Sequence, residues 1–254
     1  MGRYEVMKGI RSYLVKLLER KEIAEKTYIL TFEKPAGFSY LAGQFVIISL
    51  IGEQKVDEKG ASRAFSLASA PYEEKLMIAV RGGESAFKQA LLTASIGAQF
   101  GLEGPFGSLI LDKSKRPVVL IAGGIGIAPF RSIILQAVHE GLEREITLIY
   151  SEKRPEDAVF LEELSKIKVP KFKLVVTMTR AGQSSKKWQG RVGRINEKLL
   201  KECIPAIEEA LYYVVGLPEM VRSVKALLLA LGVKAENIKE EIFSGYQKKR
   251  ESSL

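Results

Sequence analysis

Residues 118–129 restrict the fold more than any other stretch of the chain. Val118–Ala122 is an unbroken apolar run of strand length. It leads into Gly123-Gly124-Ile125-Gly126, and Ile127-Ala128-Pro129 then opens a segment with helical periodicity that ends at His139. The pattern predicts a buried strand at Val118–Ala122 and a helix over Phe130–His139. Pro129 suits the first helical turn, where no backbone N–H is required. A strand delivered through glycines straight into a helix is half of a βαβ unit, which commits this region to a parallel sheet. Glycines also let the backbone approach a phosphate, and the helix start offers unpaired N–H groups and a positive dipole. A ligand-free strand-to-helix turn uses the same residues equally well. The spacing departs from GxGxxG, and no phosphate-loop lysine follows.

The surrounding sequence places this unit. After Asp112-Lys113-Ser114-Lys115-Arg116-Pro117, strands and helices alternate. Strands are predicted at Ile146–Tyr150, Phe172–Met178, Leu211–Val215 and Ile238–Phe243, giving five with Val118–Ala122. Helices are predicted from Pro155 to Ile167, from Asn196, and over Pro218–Leu231. This describes an α/β domain with a five-stranded parallel sheet over residues 113–254. Before the boundary, residues 1–112 carry short β segments with glycine punctuation. Tyr28, Leu30 and Phe32 alternate with Ile29, Thr31 and Glu33, and strands follow at Phe45–Leu50, Ala64–Ala68 and Leu76–Val80. Gly52 to Gly60 reads as a polar loop, and Ser85 to Leu92 as a short helix. Together these predict a small antiparallel β-barrel.

Composition removes several function classes. The one cysteine, Cys203, excludes an internal disulfide and a cysteine-ligated iron–sulfur cluster within the chain. The one histidine, His139, falls at the end of an amphipathic helix and reads as a partly exposed surface residue. No Ser-His-Asp or metal-ligand constellation forms, so redox chemistry here would come from an organic cofactor. No apolar run reaches the roughly 20 residues of a bilayer span, and the polar N-terminus predicts a cytoplasmic protein. The net charge of +9 comes from Lys and Arg interspersed with Glu. That spread argues against nucleic acid and for a phosphate-rich cofactor with an acidic electron-transfer partner, although a solvated surface fits as well.

Three further motifs are weak singly. Arg63-Ala64-Phe65-Ser66 places an arginine, an aromatic and a hydroxyl on one strand, able to serve phosphate, ring and ring nitrogen. In Arg81-Gly82-Gly83-Glu84-Ser85, Ser85 is a good N-cap, compatible with a second phosphate-binding helix start. Gly104-Pro105-Phe106-Gly107 reads as a turn.

In their order and spacing these segments resemble the ferredoxin–NADP reductase family along nearly the whole chain. Arg63-Ala64-Phe65-Ser66 is similar to its Arg-x-Tyr/Phe-Ser flavin motif, and Gly104-Pro105-Phe106-Gly107 to the turn closing its barrel. Gly123 to Pro129 resembles its pyridine-nucleotide glycine loop, and Val215-Gly216-Leu217-Pro218-Glu219-Met220 its Cys-Gly-Pro-Pro-x-Met segment. The resemblance implies that Arg63 pairs with flavin phosphates, that Phe65 packs on the isoalloxazine, that Ser66 hydrogen-bonds near its N5, and that Ala64 belongs to the same cofactor-binding motif. Arg81 and Gly83, Glu84 and Ser85 would hold further phosphate or ribose groups. Gly123, Gly124, Ile125, Gly126, Ile127 and Pro129 would face the nucleotide pyrophosphate. Gly216, Leu217, Pro218, Glu219 and Met220 would line the nicotinamide pocket. Tyr246 would stack on the flavin, although a surface tyrosine is an equal reading. Val215 stands where the family carries a cysteine, and Leu217 where it carries a first proline.

Thr179-Arg180, with Lys186, Lys187 and Arg191 nearby, would clamp a 2′-phosphate and favours NADPH, whereas Trp188-Gln189-Gly190-Arg191-Val192-Gly193 resembles members that take NADH. The resemblance thus implies an NAD(P)H-dependent flavoprotein oxidoreductase that holds FAD in preference to FMN. Ser66 and Tyr246 would flank the reacting ring, and electrons would pass to a separate acceptor such as ferredoxin or flavodoxin. The alternatives are an electron-transfer subunit of a larger complex, or a flavin or ferric reductase that uses flavin as substrate.

Overall fold

The computed structural model describes residues 12–52, 57–58 and 60–243. The chain divides into two compact units. The first takes the described residues up to Lys113 together with Ala128–Leu142 and Val159–Leu161; the second takes Ser114–Ile127, Glu143–Ala158 and the residues from Glu162 onward.

Six antiparallel strands build the first unit: β1 (Ser12–Ala24), β2 (Thr27–Glu33), β3 (Phe45–Leu50), β4 (Ser62–Ser66), β5 (Lys75–Arg81) and β6 (Gln99–Phe106). Their order is β4-β3-β6-β1-β2-β5. Strand β1 has no counterpart in the sequence expectations. Its first part, Ser12–Lys16, pairs with β6, while Leu17–Ala24 pairs with β2 through register shifts at Leu17/Glu19 and Glu22/Ala24. Each bulge adds a residue and so breaks the period of two that marks a strand in sequence. Leu17 is buried and Leu18 is exposed on either side of the first shift.

Closure comes from beyond the end of β4. Leu67 bridges Ile78, and the Ala68 N–H donates to Met77 O at 2.7 Å. The two outer strands therefore meet, and the sheet becomes the barrel expected from the sequence. Val15, Phe32, Ile48, Val80 and Leu102 fill its interior. Helix α1 (Ala86–Thr93) adds Phe87 and Leu91, four residues apart on one face and both fully buried. The Gly104–Phe106 segment is the end of β6 rather than a free turn, and it carries a bulge opposite Phe45–Ile47.

The second unit is a parallel sheet of β7 (Val118–Gly123), β8 (Ile146–Glu152), β9 (Phe172–Met178), β10 (Arg191–Val192), β11 (Leu211–Gly216) and β12 (Ile238–Ile242). The order is β10-β9-β8-β7-β11-β12, which makes six strands where the sequence predicted five. The additional β10 is a two-residue edge strand, exposed at both positions, with no hydrophobic pattern to reveal it.

On one sheet face Val119, Ile121, Ile149, Tyr212 and Val214 pack with Leu199, Leu200 and Cys203 of α4 (Glu197–Cys203) and Val221, Val224 and Leu228 of α5 (Pro218–Ala230). Leu120, Leu148, Tyr150, Tyr213 and Val215, of the opposite parity, are buried too. Burial on both faces explains why these strands read as continuous apolar runs.

Helix α2 (Ile127–His139) runs almost entirely through the segment grouped with the barrel. The helix predicted over Pro155–Ile167 is instead a single 3-10 turn at Pro155–Asp157 followed by the short α3 (Leu161–Ser165). Phe160 interrupts it with φ +59°, a left-handed conformation that ends helical hydrogen bonding. No helix among the described residues is long and apolar enough to cross a membrane.

Candidate functional site

In the barrel unit the β4 motif faces α1. Arg63 and Phe65 share one side of β4, as a period of two requires, and Ala64 faces solvent. The Phe65 and Phe87 rings stack at 6.2 Å between centroids, and the Arg63 guanidinium lies over the Phe87 ring at 4.9 Å. Ser66, the last residue of β4, is buried.

Arg63 Nη1 donates to Gly60 O at 2.9 Å and to Ser62 O at 2.7 Å, while Nη2 pairs with Asp57 Oδ1. The second oxygen of that carboxylate accepts from the Ser85 hydroxyl at 2.6 Å. Ser85 caps α1, its oxygen facing the Lys88 N–H at 3.5 Å. The guanidinium and the helix-capping hydroxyl, predicted separately from sequence, thus converge on one anionic group. That arrangement fits a flavin phosphate, because its donors are already spaced for a single anion at a helix start. The Arg81 Nε donates to Thr27 Oγ1 at 3.3 Å. Gly83 and Glu84 are exposed in the turn before α1.

In the second unit the order of the sheet reverses between β7 and β11, and ligands of such sheets bind beyond the carboxyl ends of strands at that point. Both strands end there in glycine. Val215 registers with Ala122, which brings Gly216 and Gly123 side by side. A Cβ on Gly216 would lie 3.3 Å from Gly123 Cα, and one on Gly126 only 2.5 Å from Val215 O. Met220 reaches into the notch, its Sδ 3.2 Å from where a Cβ on either Gly123 or Gly216 would be.

Gly124, Ile125 and Gly126 form a 3-10 turn, and α2 begins directly afterwards at Ile127 with Pro129 in its first turn. Helix α5 opens with Pro218 and Glu219, and its N-cap Leu217 supplies no side-chain hydrogen bond. Two glycine-ended strands leading into helix starts are a local arrangement whose backbone N–H groups can serve an anion.

The loop after β9 contains the residues read as nucleotide-selective. Thr179 and Arg180 are exposed, and their N–H groups are fixed by Glu152 O and Lys153 O at 2.8 Å each. Among the described residues no carboxylate pairs with the Arg180 guanidinium. Arg191 is different: on β10 it binds Glu202 at 2.6 Å, which holds its pKa above the ordinary arginine value. Lys186 and Lys187 are exposed. The loop is pinned by Glu156, which accepts from the Ser184 hydroxyl at 2.6 Å and from the Ser185 N–H at 3.3 Å. The Ser184 bond, helped by backbone amides and Arg154, keeps the Glu156 carboxyl below the usual range.

Asp57, Phe87 and Glu156 were not anticipated as site residues. Asp57 sits in a polar segment without periodicity, Glu156 falls at the start of the segment read as a helix, and Phe87 reads as core. Tyr246 lies outside the described residues. His139 is exposed at the end of α2 and stacks on Tyr72 at 4.1 Å. Among the described residues no cluster of three or more His, Cys, Asp or Glu is placed to hold a metal ion.

Residues 120–226 match the oxidoreductase NAD-binding domain family. The terephthalate 1,2-dioxygenase reductase component 1 of Comamonas sp. is 25% identical over 92% of this chain and 69% of its own length. One polypeptide of the Na(+)-translocating NADH-quinone reductase of Methylococcus capsulatus is 30% identical over 73% of this chain and 50% of its own. The chain therefore spans between half and about 70% of these curated relatives. A Neisseria gonorrhoeae ferredoxin NADP+ reductase, solved with FAD and NADP bound, superposes with a TM-score of 0.78 at 24% identity, covering 91% of this chain and 98% of that one. That likeness establishes the fold. With an antiparallel barrel ahead of a parallel α/β sheet, and both glycine-ended strands at the switch point, the chain has the two-domain fold of the ferredoxin–NADP reductase type, and its residues 120–226 match the oxidoreductase NAD-binding domain family.

Proposed function

We propose that the chain is an NAD(P)H-dependent flavin reductase that moves a hydride from the nucleotide onto FAD and passes the electrons to a separate acceptor. In this reading residues 1–112 hold the flavin and 113–254 the nucleotide. The observation that carries it is the notch where Gly123, Gly126 and Gly216 bring two strand ends and a helix start together beside Met220, at the point where the sheet order reverses. Bound FAD supplies hydride acceptance at N5 and electron release singly or as a pair.

The protein's part is binding and orientation. Arg63 and Ser85 take a flavin phosphate, Phe65 covers the ring, and Ser66 offers a hydroxyl toward N5. Arg180, exposed in the loop that also carries Ser184 and Ser185, would receive a 2′-phosphate, so NADPH is the preferred donor, with NADH the alternative. Acceptors of the ferredoxin or flavodoxin type, or an oxygenase component, fit the relatives named as reductase components.

Anaerobic titration with NADPH, and in parallel with NADH, tests this reading. Bleaching of the visible flavin band by either nucleotide is the expected result. A protein that stays colourless and inert after added FAD and FMN would overturn it. A second reading has support of its own: two relatives bear the names of a component and a subunit, and the chain spans only part of each. The chain would then act as the electron-input subunit of a larger complex, showing co-purification with a stable partner and no diaphorase activity alone.

A further inference from the structure

The Arg63–Asp57–Ser85 cluster holds more than a binding site needs. If Arg63 and Ser85 receive a flavin phosphate, then Asp57 already stands where that phosphate must go. The Ser85 hydroxyl has one proton, and it is donated to Asp57 Oδ2 at 2.6 Å. It cannot be given to a phosphate at the same time. Arg63 Nη1 is committed to two backbone carbonyls, so Nη2, on Asp57 Oδ1, is the terminal nitrogen a phosphate would have to share. Carboxylate and phosphate side by side on one guanidinium would also repel.

We propose that Asp57 competes with the flavin phosphate for Arg63 and Ser85, so that cofactor binding requires Asp57 to release both. The inference rests on the flavin reading of Arg63. Asp57 is then an affinity-setting residue: it weakens the hold on phosphorylated flavins and leaves the hold on the isoalloxazine ring unchanged. The Arg63–Asp57 pair is partly exposed, with side chains 18% and 26% accessible, so the effect is modest.

The test uses the full chain stripped of flavin and titrated with FAD, FMN and riboflavin, following flavin fluorescence. Asp57→Asn keeps the size of the side chain and removes its charge. It should tighten FAD and FMN binding by about threefold to tenfold. Riboflavin, which lacks phosphate, should bind as it does to the wild type, which also reports an intact ring site. In an Arg63→Ala background the gain should shrink, because only the Ser85 part of the competition is left.

Weaker or unchanged FAD binding in Asp57→Asn would overturn the proposal and make Asp57 a support for Arg63. An equal gain for riboflavin, or a gain undiminished by Arg63→Ala, would also overturn it. The underlying flavin reading fails by a different result: Arg63→Ala binding FAD as tightly as the wild type.

Discussion

At Gly126 the smallest possible side chain is already too large. A Cβ there would sit 2.5 Å from Val215 O and 2.8 Å from the Val215 carbonyl carbon, both rigid backbone atoms of β11. Gly126→Ala must therefore push the 3-10 turn away from β11, at a cost of about 1–3 kcal/mol for overpacking. The same shift should weaken NAD(P)H binding, since that turn faces the proposed pyrophosphate. Gly83→Ala is the matched control. Nothing lies within 4 Å of its added Cβ, so stability should stay within about 0.5 kcal/mol of the wild type. Urea denaturation and nucleotide titration of both variants check this; equal stability of the two would remove the close approach as an explanation.

At this scale the sequence was a good guide where chemistry requires a residue type at a fixed spacing. Gly123, Gly126 and Gly216 could be read because glycine is the residue that lets backbone approach a phosphate, and at Gly126 the Val215 backbone also leaves no room for a side chain. Asp57 could not, because its partners Arg63 and Ser85 are set by how the barrel folds, and a lone aspartate in a polar loop carries no pattern.

Among the elements, α2 is tied to the strand segment following β4 by a buried polar group of residues. Arg131 is 4% exposed; it donates to Ala68 O at 2.7 Å and pairs with Glu73 Oε2 at 2.8 Å. Ser132 donates to Ser69 O at 2.6 Å, and the Tyr40 hydroxyl donates to the same carbonyl at 2.9 Å. Burial pushes the Tyr40 phenol above its usual pKa, so it stays a donor. Arg131→Ala takes the guanidinium from Ala68 O and from Glu73, which keeps the Ala70 N–H, and should cost about 2–3 kcal/mol, discounted from a fully buried pair because a quarter of the Glu73 side chain is accessible. Glu73→Gln keeps a hydrogen-bonding partner for Arg131 and should cost less, about 1 kcal/mol. Denaturant midpoints in the reverse order would contradict the assignment.

The loop after β9 offers a second test through Trp188, the one tryptophan. Because hydrogen bonding to Ser184 lowers the Glu156 pKa in the folded protein, the ionised carboxylate supports the loop at and above the usual Glu value, and the support is lost as pH falls through the lowered one. Trp188 emission should be flat through neutral pH and change only below the ordinary carboxylate range, and Glu156→Gln should show the acid-like emission already at neutral pH. A wild-type midpoint at or above the usual Glu value would refute the linkage. The helix α2 itself was legible from periodicity. Neither these anchors nor β1 was, since bulges hide the period of β1 and tertiary hydrogen bonds leave no local trace.

For the whole molecule, the change from glycine-punctuated strands to alternating strands and helices near Asp112–Pro117 announced two architectures. The sequence could not show that Ala128–Leu142 and Val159–Leu161 group with the barrel, because that membership depends on contacts such as Arg131 to Glu73 and Arg131 over the Phe160 ring at 5.2 Å. Charge acts at this largest scale. The 39 Lys and Arg exceed the 30 Asp and Glu by nine, and such an excess attracts an acidic electron acceptor over distances comparable to the Debye length. The attraction speeds encounter more than it strengthens the final complex, so it belongs in kcat/KM and not in kcat. With an acidic ferredoxin or flavodoxin as acceptor, kcat/KM should fall by about tenfold as salt rises from roughly 0.05 to 0.5 M. An uncharged quinone acceptor supplies the contrast, since it gains nothing from steering and should show a nearly flat profile under the same conditions. Stopped-flow reduction of both acceptors across that range separates the two cases. Parallel profiles for the acidic protein and the neutral quinone would mean that the positive excess is only a solvated surface, and the acceptor would then have to be recognised by apolar or shape contacts instead.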